Sequence, residues 1–373
     1  MVKVFQITAD ISTNTDFIKL SVCISYRNWL MSEQKMKASD TKNGLNIELM
    51  NFKRRKFITN SVAVMAGVML SSAGLISCSS KKPAIRIASN IWPGYEFLFL
   101  ARELKYLNED VVRMVELPSA SVCLEALSAG TVEGAALTLD EVLTAQAEGL
   151  DLKVVAVLDV SMGADVILAH SGIKTLQDLK GKTVGVEKSA VGAVMLYSAL
   201  EKAKLKISDI KIKQMNVNRH RDAYLSGNVD ALVTFEPVIS QLSKSNSTKL
   251  FTSADIPGRI VDVIAVRAEV LDSNPEAVKE LVAAHFKALE KFQSAPKVMS
   301  VIMASRLKVK PNEVAELYTD IELPDVSANR DLLLGDPAKL EPLAKKLAQI
   351  MIRGRLLPED FVMPKIAAGQ FLL

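Results

Sequence analysis

Between residues 85 and 244 short apolar runs alternate with segments of helical spacing. This strand–helix order limits the chain to mostly parallel sheets covered by helices on both faces. The first unit has strands predicted at 85–89 (IRIAS), 111–117 (VVRMVEL), 132–138 (VEGAALT) and 153–159 (KVVAVLD), with helices at 97–107, 120–129 and 139–148. A second unit repeats the plan, with strands at 164–169, 182–187, 210–215 and 230–235 and helices at 175–180, 190–204, 219–226 and 237–244. After a strand at 260–266 the pattern turns almost wholly helical, over 275–293, 297–306, 311–319 and 337–353. Those helices have no sheet of their own, so they must pack on one already built. The prediction is an α/β chain of two doubly wound lobes, 84–168 with 258–373 and 169–257, the helical C-terminal region packing on lobe one. Two crossing segments, near 160–170 and 256–268, would join the lobes and leave a cleft between them. Domain junctions and the C-terminal ends of parallel strands are where ligands sit.

Ahead of this body, residues 53–78 read KRRKFITNSVAVMAGVMLSSAGLISC, the basic, apolar and small-residue layout of an export signal. The stretch from Phe57 to Ile76 is also long enough to span a bilayer core of ~30 Å at ~1.5 Å per residue, so a membrane anchor is the competing reading. LISC, Leu75 to Cys78, resembles the lipobox of bacterial lipoproteins, which implies lipidation of Cys78 as the first mature residue. Arg54-Arg55 followed by Lys56, Phe57 and Ile58 resembles the twin-arginine export motif, with general secretion as the alternative route. Export signals begin near a protein's start, so the expectation is translation from Met50, residues 1–49 being an artefactual extension, 50–77 the lipoprotein signal peptide and 78–83 a tether.

Charge and cysteine content exclude several functions. The net charge of +4 comes from the front: residues 1–77 hold 10 Lys and Arg against 5 Asp and Glu, leaving the body near neutral. A nucleic-acid binder needs clustered basic residues, and that near-neutral body lacks such a footprint. Three cysteines, Cys23, Cys78 and Cys123, cannot build a disulfide framework or a four-cysteine zinc site.

Several stretches together resemble the nitrate/sulfonate/taurine-type solute-binding lipoproteins of ABC importers. They are WPGYEFLFLARELKYL (92–107), SMGAD (161–165), IKTLQDLKGKTVGVE (173–187), VDALVTFEP (229–237), IPGRIVDVIAVR (256–267) and NPEAVKELV (274–282), within a likeness covering most of 84–357. The resemblance implies a type II periplasmic-binding fold whose hinged lobes close on a small solute. It also implies a membrane permease with a cytoplasmic ATPase as partners, a location in the periplasm or on the outer face of the cell membrane, and no cofactor. A monomer without nucleic-acid partners is expected. Some family members hold an anion with the help of a calcium ion, and oxygen ligands here leave that open. The superfamily also contains thiamine-pyrimidine synthases and menaquinone-pathway dehydratases. The cysteine-rich motif of the former is absent, and an export signal fits poorly with cytoplasmic biosynthesis. A sensor lobe feeding a signalling partner is a third reading.

Candidate ligand-binding residues are those at predicted strand ends: Trp92, Tyr95, Glu96, Ser119, Ser121, Thr138, Asp140, Asp165, Ser189, Glu236 and Asp262. Each has a structural alternative. The aromatics could pack their loop, Glu96 could favour a helix dipole, and the serines could cap helices. Five of the candidates are acidic, while basic ones are few: Lys188, Arg219, His220 and Arg221. A carboxylate taken from water costs several kcal/mol unless something positive or hydrogen-bonding meets it. The cleft is therefore expected to favour a small polar organic solute with an amine, an amidine or many N–H donors, among taurine-, sulfonate- and pyrimidine-like compounds. The GKT at 181–183 is not a phosphate loop, because Leu176 stands where Gly is required and a strand follows. His170, His220 and His285 show no metal spacing and no paired nucleophile, so no catalytic or metal residue is assigned.

Overall fold

The computed structural model describes residues 82–187 and 190–372. The proposed extension, the signal peptide, Cys78 and most of the tether therefore lie outside the described residues, as do Lys188 and Ser189. In chain order the elements begin β1 (Ile85–Ser89), α1 (Glu96–Glu103), β2 (Val112–Glu116), α2 (Ala120–Ser128), β3 (Gly134–Thr138), α3 (Leu139–Ala147) and β4 (Leu152–Ser161). There follow β5 (Asp165–His170), β6 (Thr183–Val186), α4 (Ala190–Ala203), β7 (Lys211–Gln214), α5 (His220–Leu225), β8 (Ala231–Phe235), α6 (Val238–Gln241) and β9 (Ser247–Thr252). The chain closes with β10 (Val261–Arg267), α7 (Ala268–Ser273), α8 (Pro275–Ser294), α9 (Pro296–Leu307), β11 (Ile321–Glu322), α10 (Val326–Leu333) and α11 (Leu340–Arg353).

Two sheets organise these elements. The first has strand order β11-β4-β10-β3-β1-β2 and the second β7-β6-β8-β5-β9. β1 pairs parallel with β2 and β3, while β10 enters antiparallel between β3 and β4. Likewise β6 pairs parallel with β7 and β8, and β5 runs antiparallel to β8 and β9. β3 is buried at all five positions and so is β8, as expected of strands covered on both faces.

The C-terminal helices pack where the sequence requires. Proline at its first turn starts α8, and Val278, Leu281, Val282, His285, Leu289 and Phe292 line its buried face. Phe97 of α1 meets both His285 and Phe292 edge-on, with ring centroids 6.0 and 5.5 Å apart. α11 lies against α3, and buried Asn329 of α10 exchanges bonds of 2.7 and 2.9 Å with the backbone of Val157 in β4. No helix among the described residues is long and apolar enough to cross a membrane.

Four elements escape the periodicity analysis: β9, β11, α7 and α10. β9, STKLFT, is an edge strand with one fully buried residue, and β11 has two residues, so neither carries a sustained apolar alternation. The helix expected at 311–319 is instead a 3-10 turn, Val314–Tyr318.

One hydroxyl ties the two connections between the sheets. Ser253, just after β9, bonds Ser161 Oγ at 2.7 Å and accepts from the backbone N–H of Gly163 at 2.7 Å and of Asp165 at 3.4 Å. Gly163 has φ +142°, a conformation that glycine adopts without strain.

Candidate functional site

The site grows from a row of polar residues across the first sheet. The β3–β10 register places Thr138 opposite Asp262, and the β10–β4 register places Asp262 opposite Asp159. The turn after β1 folds over this row. Trp92 is extended and starts a 3-10 turn, Pro93–Tyr95, and its indole N–H donates to Asp159 Oδ2 at 3.0 Å. Tyr95 donates its hydroxyl proton to Asp262 Oδ1. Gly94 makes this approach possible, because a Cβ there would stand 1.7 Å from Asp159 Oδ2 and 2.8 Å from Trp92 Nε1. Tyr318 pins the turn from behind, donating to the Pro93 carbonyl at 2.9 Å.

The second sheet supplies the opposite wall. Asp165 and Phe235 face each other in the β5–β8 pair, and Phe235 meets Trp92 edge-on at 5.7 Å between ring centroids. Asn90, Trp92, Tyr95, Ala120, Thr138, Glu141, Asp165, Val191, Phe235, Ile260 and Asp262 enclose a hollow of about 20 Å³, the room of about one water molecule. Phe235 also borders a wider groove of about 790 Å³, together with Ile91, Glu116, Arg221, Pro237 and Lys308.

Acidity dominates the hollow and its margin. Asp140, Glu141, Asp159, Asp165 and Asp262 are all at most 4% exposed. Among the described residues none of the five pairs with Lys, Arg or His; neutral groups reach them instead, namely Trp92 N–H, the Tyr95 hydroxyl, the backbone N–H of Thr138 on Glu141 at 3.0 Å, and the Ser161 hydroxyl beside Asp165. Asp140 has neither oxygen bonded, and Glu141 Oε1, Asp159 Oδ1, Asp165 Oδ2 and Asp262 Oδ2 are without a partner. Burial pushes all five carboxyls up, Asp165 to about 7, and Asp159 raises Asp262 further. Burial and the charge of Asp262 push the Tyr95 hydroxyl up as well, so it remains a donor.

A sixth carboxylate crosses between the sheets. Glu187, at the end of β6, accepts from the backbone N–H and hydroxyl of Ser121 at 3.1 and 2.9 Å. Ser121 lies in the first turn of α2, where free N–H groups and the helix dipole favour an anion.

The chain matches the NMT1/THI5-like family over residues 92–298, more than half of its 373 residues. It belongs to that family. Over 306 residues this NMT1/THI5-like chain is 26% identical to an Escherichia coli (strain K12) relative named as a candidate aliphatic sulfonates-binding protein, covering 79% of this chain and 92% of that one. The alkanesulfonate-binding protein of Xanthomonas axonopodis pv. citri, solved bound to MOPS, superposes with a TM-score of 0.64 at 20% identity over 75% of this chain and 96% of its own. The periplasmic nitrate-binding protein of Synechocystis PCC 6803 superposes with a TM-score of 0.61 at 14% identity, over 74% of this chain and 83% of its own. These likenesses establish the periplasmic-binding fold for this family member and agree with the resemblance read from its sequence.

Of the residues singled out by sequence, the structure brings Trp92, Tyr95, Thr138, Asp165 and Asp262 to the hollow. Asp140 is buried beside Glu141 at the start of α3 without lining the hollow itself. Ser119 caps α2 by accepting from the Val122 N–H at 3.4 Å, and Ser121 holds Glu187. Glu96 is drawn elsewhere: it opens α1 and is ion-paired with Arg306, whose guanidinium lies over the Phe99 ring at 3.3 Å. Glu236 caps α6 by accepting from the Ser240 N–H at 3.0 Å, and its neighbour Phe235 takes the place in the wall. Ser189 lies outside the described residues. Sequence reasoning did not single out Asn90, Glu141, Asp159, Glu187 or Phe235. Asp159 could have been found as the lone carboxylate ending an otherwise apolar strand, and Glu141 as the second acid in LTLDE.

Elsewhere, His220 is buried with ring nitrogens 3.1 Å from Thr234 Oγ1 and 3.3 Å from the Met215 carbonyl, and burial lowers its pKa to about 4. His285 is buried on the inner face of α8 and Cys123 in α2, both within the packed interior.

Proposed function

We propose that this chain is the extracytoplasmic solute-binding component of an ABC importer of the nitrate/sulfonate/taurine type. It traps a small polar organic solute between two lobes and delivers it to a permease driven by a cytoplasmic ATPase. The two sheets serve as the cores of the two lobes, with crossings between β4 and β5 and between β9 and β10; residues 165–168, assigned to lobe one from sequence, belong to β5 and go with the second sheet. The observation that carries this reading is a hollow built from both sheets: Trp92, Tyr95, Thr138 and Asp262 on one side, Asp165, Val191 and Phe235 on the other. A solute touching both walls makes its full set of contacts only when the lobes are closed, so it shifts the population toward that arrangement. Micromolar affinity, about −8 kcal/mol, suffices for such a receptor.

On this reading the protein is a non-catalytic monomer, exported by the twin-arginine or general secretion route. Lipid on Cys78 holds it at the membrane, and residues 78–83 tether the folded body. The titratable cluster contains no histidine, cysteine or lysine among the described residues, which favours capture over nucleophilic chemistry.

A thermal-shift screen against amines, amidines, pyrimidines, sulfonates and nitrate, followed by mass spectrometry of the incubated compounds, tests the reading. Stabilisation by one class with the compound recovered intact is expected. Release of a chemical product would overturn it.

A further inference from the structure

We propose that the captured solute is an organic cation whose charge is carried on several N–H groups, of the amidinium or guanidinium class, and not a sulfonate or nitrate. The inference rests on the receptor reading above and names the chemistry that its site selects.

The first argument is a contrast within the chain. Glu96, buried away from the hollow and 2% exposed, is met by an arginine, Arg306. Around the hollow, Glu141, Asp159, Asp165 and Asp262 come from four elements on both sheets, and each keeps at least one oxygen without a partner. Neutral donors meet some of the remaining oxygens. Burial makes these carboxyls hold their protons, and ionising one costs several kcal/mol unless a positive group reaches it. The arrangement is complete once a cation stands among them, and the hollow, with room for about one water, has to widen by a movement of its two walls to admit it.

The second argument concerns the groups that would receive an anion. The N-terminal turn of α2 borders the hollow through Ala120, and its free N–H groups suit a sulfonate or nitrate. Glu187 takes that position, holding both the N–H and the hydroxyl of Ser121. An anionic solute would have to displace Glu187 and then sit beside five further carboxylates.

Shape narrows the cation. Among the described residues no group of three or more acidic, histidine or cysteine side chains is placed to hold a metal ion. The positive charge must therefore be spread over a body wide enough to reach separated oxygens. A planar fork of N–H donors matches a two-oxygen carboxylate in a bidentate manner, which a single ammonium does not. Trp92 and Phe235 add aromatic surface that attracts a cation. Asp165 belongs to the second sheet and Asp159 and Asp262 to the first, so one such group is gripped from both sides.

Calorimetric titration of the full chain with acetamidine, methylguanidine, methanesulfonate, nitrate and calcium tests the assignment. At pH 8 the amidine and the guanidine are expected to bind saturably and the two anions not at all. Affinity for the cations should fall at least about tenfold at pH 5.5, because protons compete for the same oxygens of Glu141, Asp159, Asp165 and Asp262. D165N and D262N should each weaken the cations at least about tenfold, a loss matching one charged hydrogen bond, while E96Q should not. Binding of methanesulfonate or nitrate that disappears in K188M would mean that Lys188 supplies the positive charge, and would overturn the proposal. Saturation by calcium alone, or by neither cation at millimolar concentration, overturns it equally. Conversion of any compound to a product would instead overturn the receptor reading, so the two failures are distinguishable.

Discussion

Asp159 and Asp262 stand directly opposite each other in the antiparallel β4–β10 pair, both fully enclosed, each held by one aromatic donor from the same turn. Like charges opposed across strands repel, and here water does not screen them. Replacing one by its amide removes the repulsion and adds a donor for the other. D262N is therefore expected to stabilise the solute-free protein at pH 8 by ~1–3 kcal/mol while weakening solute binding. Urea unfolding of the two proteins at pH 8 and at pH 5 checks this. The gain should be small at pH 5, and a loss at pH 8 would refute the account.

Stability should also fall as pH rises, the reverse of the usual carboxylate behaviour. Asp165 is raised to about 7, and Asp140, Glu141, Asp159 and Asp262 are raised in the same direction. Between an ordinary carboxylate value of about 4 and these raised values, the folded state binds more protons than the unfolded chain. The stability they contribute is present at low pH and is lost as pH climbs through about 7. Unfolding midpoints at pH 5, 6, 7 and 8 should decrease in that order without solute, and a bound cation should flatten the series. Opening of the cleft limits the loss, since hydrated carboxyls return toward ordinary values.

Ser121, on α2 beside the first sheet, and Glu187, at the end of β6 in the second, join the two halves. Hydrogen bonds to a charged acceptor contribute roughly 1.5–3 kcal/mol each. S121A removes the hydroxyl bond and keeps the backbone one, so the closed arrangement loses part of its support. Small-angle scattering should show a larger radius of gyration for S121A than for the parent chain without solute, and near-equal values when solute is saturating. Identical scattering in both conditions would exclude this contact as a latch.

Arg306 and Glu96 have no expected part in solute capture. Burial drives Glu96 up to about 7 against the opposing pull of Arg306, which also bonds Glu116 at 2.8 Å and the Asn90 carbonyl at 3.3 Å. R306M leaves Glu96 enclosed without a counter-charge and should cost about 3 kcal/mol of stability. The cost should be greater at pH 8 than at pH 6, where a lone carboxyl escapes by taking a proton. The double variant E96Q/R306M should recover much of the loss, and solute affinity of the folded double variant should be near that of the parent.

The strand–helix alternation was legible because apolar periods of 2 and 3.6 differ sharply over segments such as IRIAS and PEAVKELVAAHF. β9 and β11 were not, since their pairing depends on neighbours distant in the chain rather than on their own composition. The same division runs through the site. Trp92, Tyr95, Thr138, Asp165 and Asp262 stand out as polar or aromatic residues at strand ends, where a ligand sits. Glu96 has the same local appearance as Tyr95, yet α1 turns it toward Arg306, 210 residues later, and nothing near Glu96 announces that partner. Phe235 reads as core until the β5–β8 register sets it opposite Asp165. Glu187 meets Ser121 only through the approach of one sheet to the other.

Ser253 deserves its place among the small parts that govern large motions. Because its oxygen touches Ser161, Gly163 and Asp165 together, the incoming and outgoing passages are knotted at a single point. On the receptor reading, a swing of one half against the other would turn about this point, like a door hung on one pin. Changing that residue to alanine would free each passage to bend on its own, and the mouth could then gape along several directions instead of one.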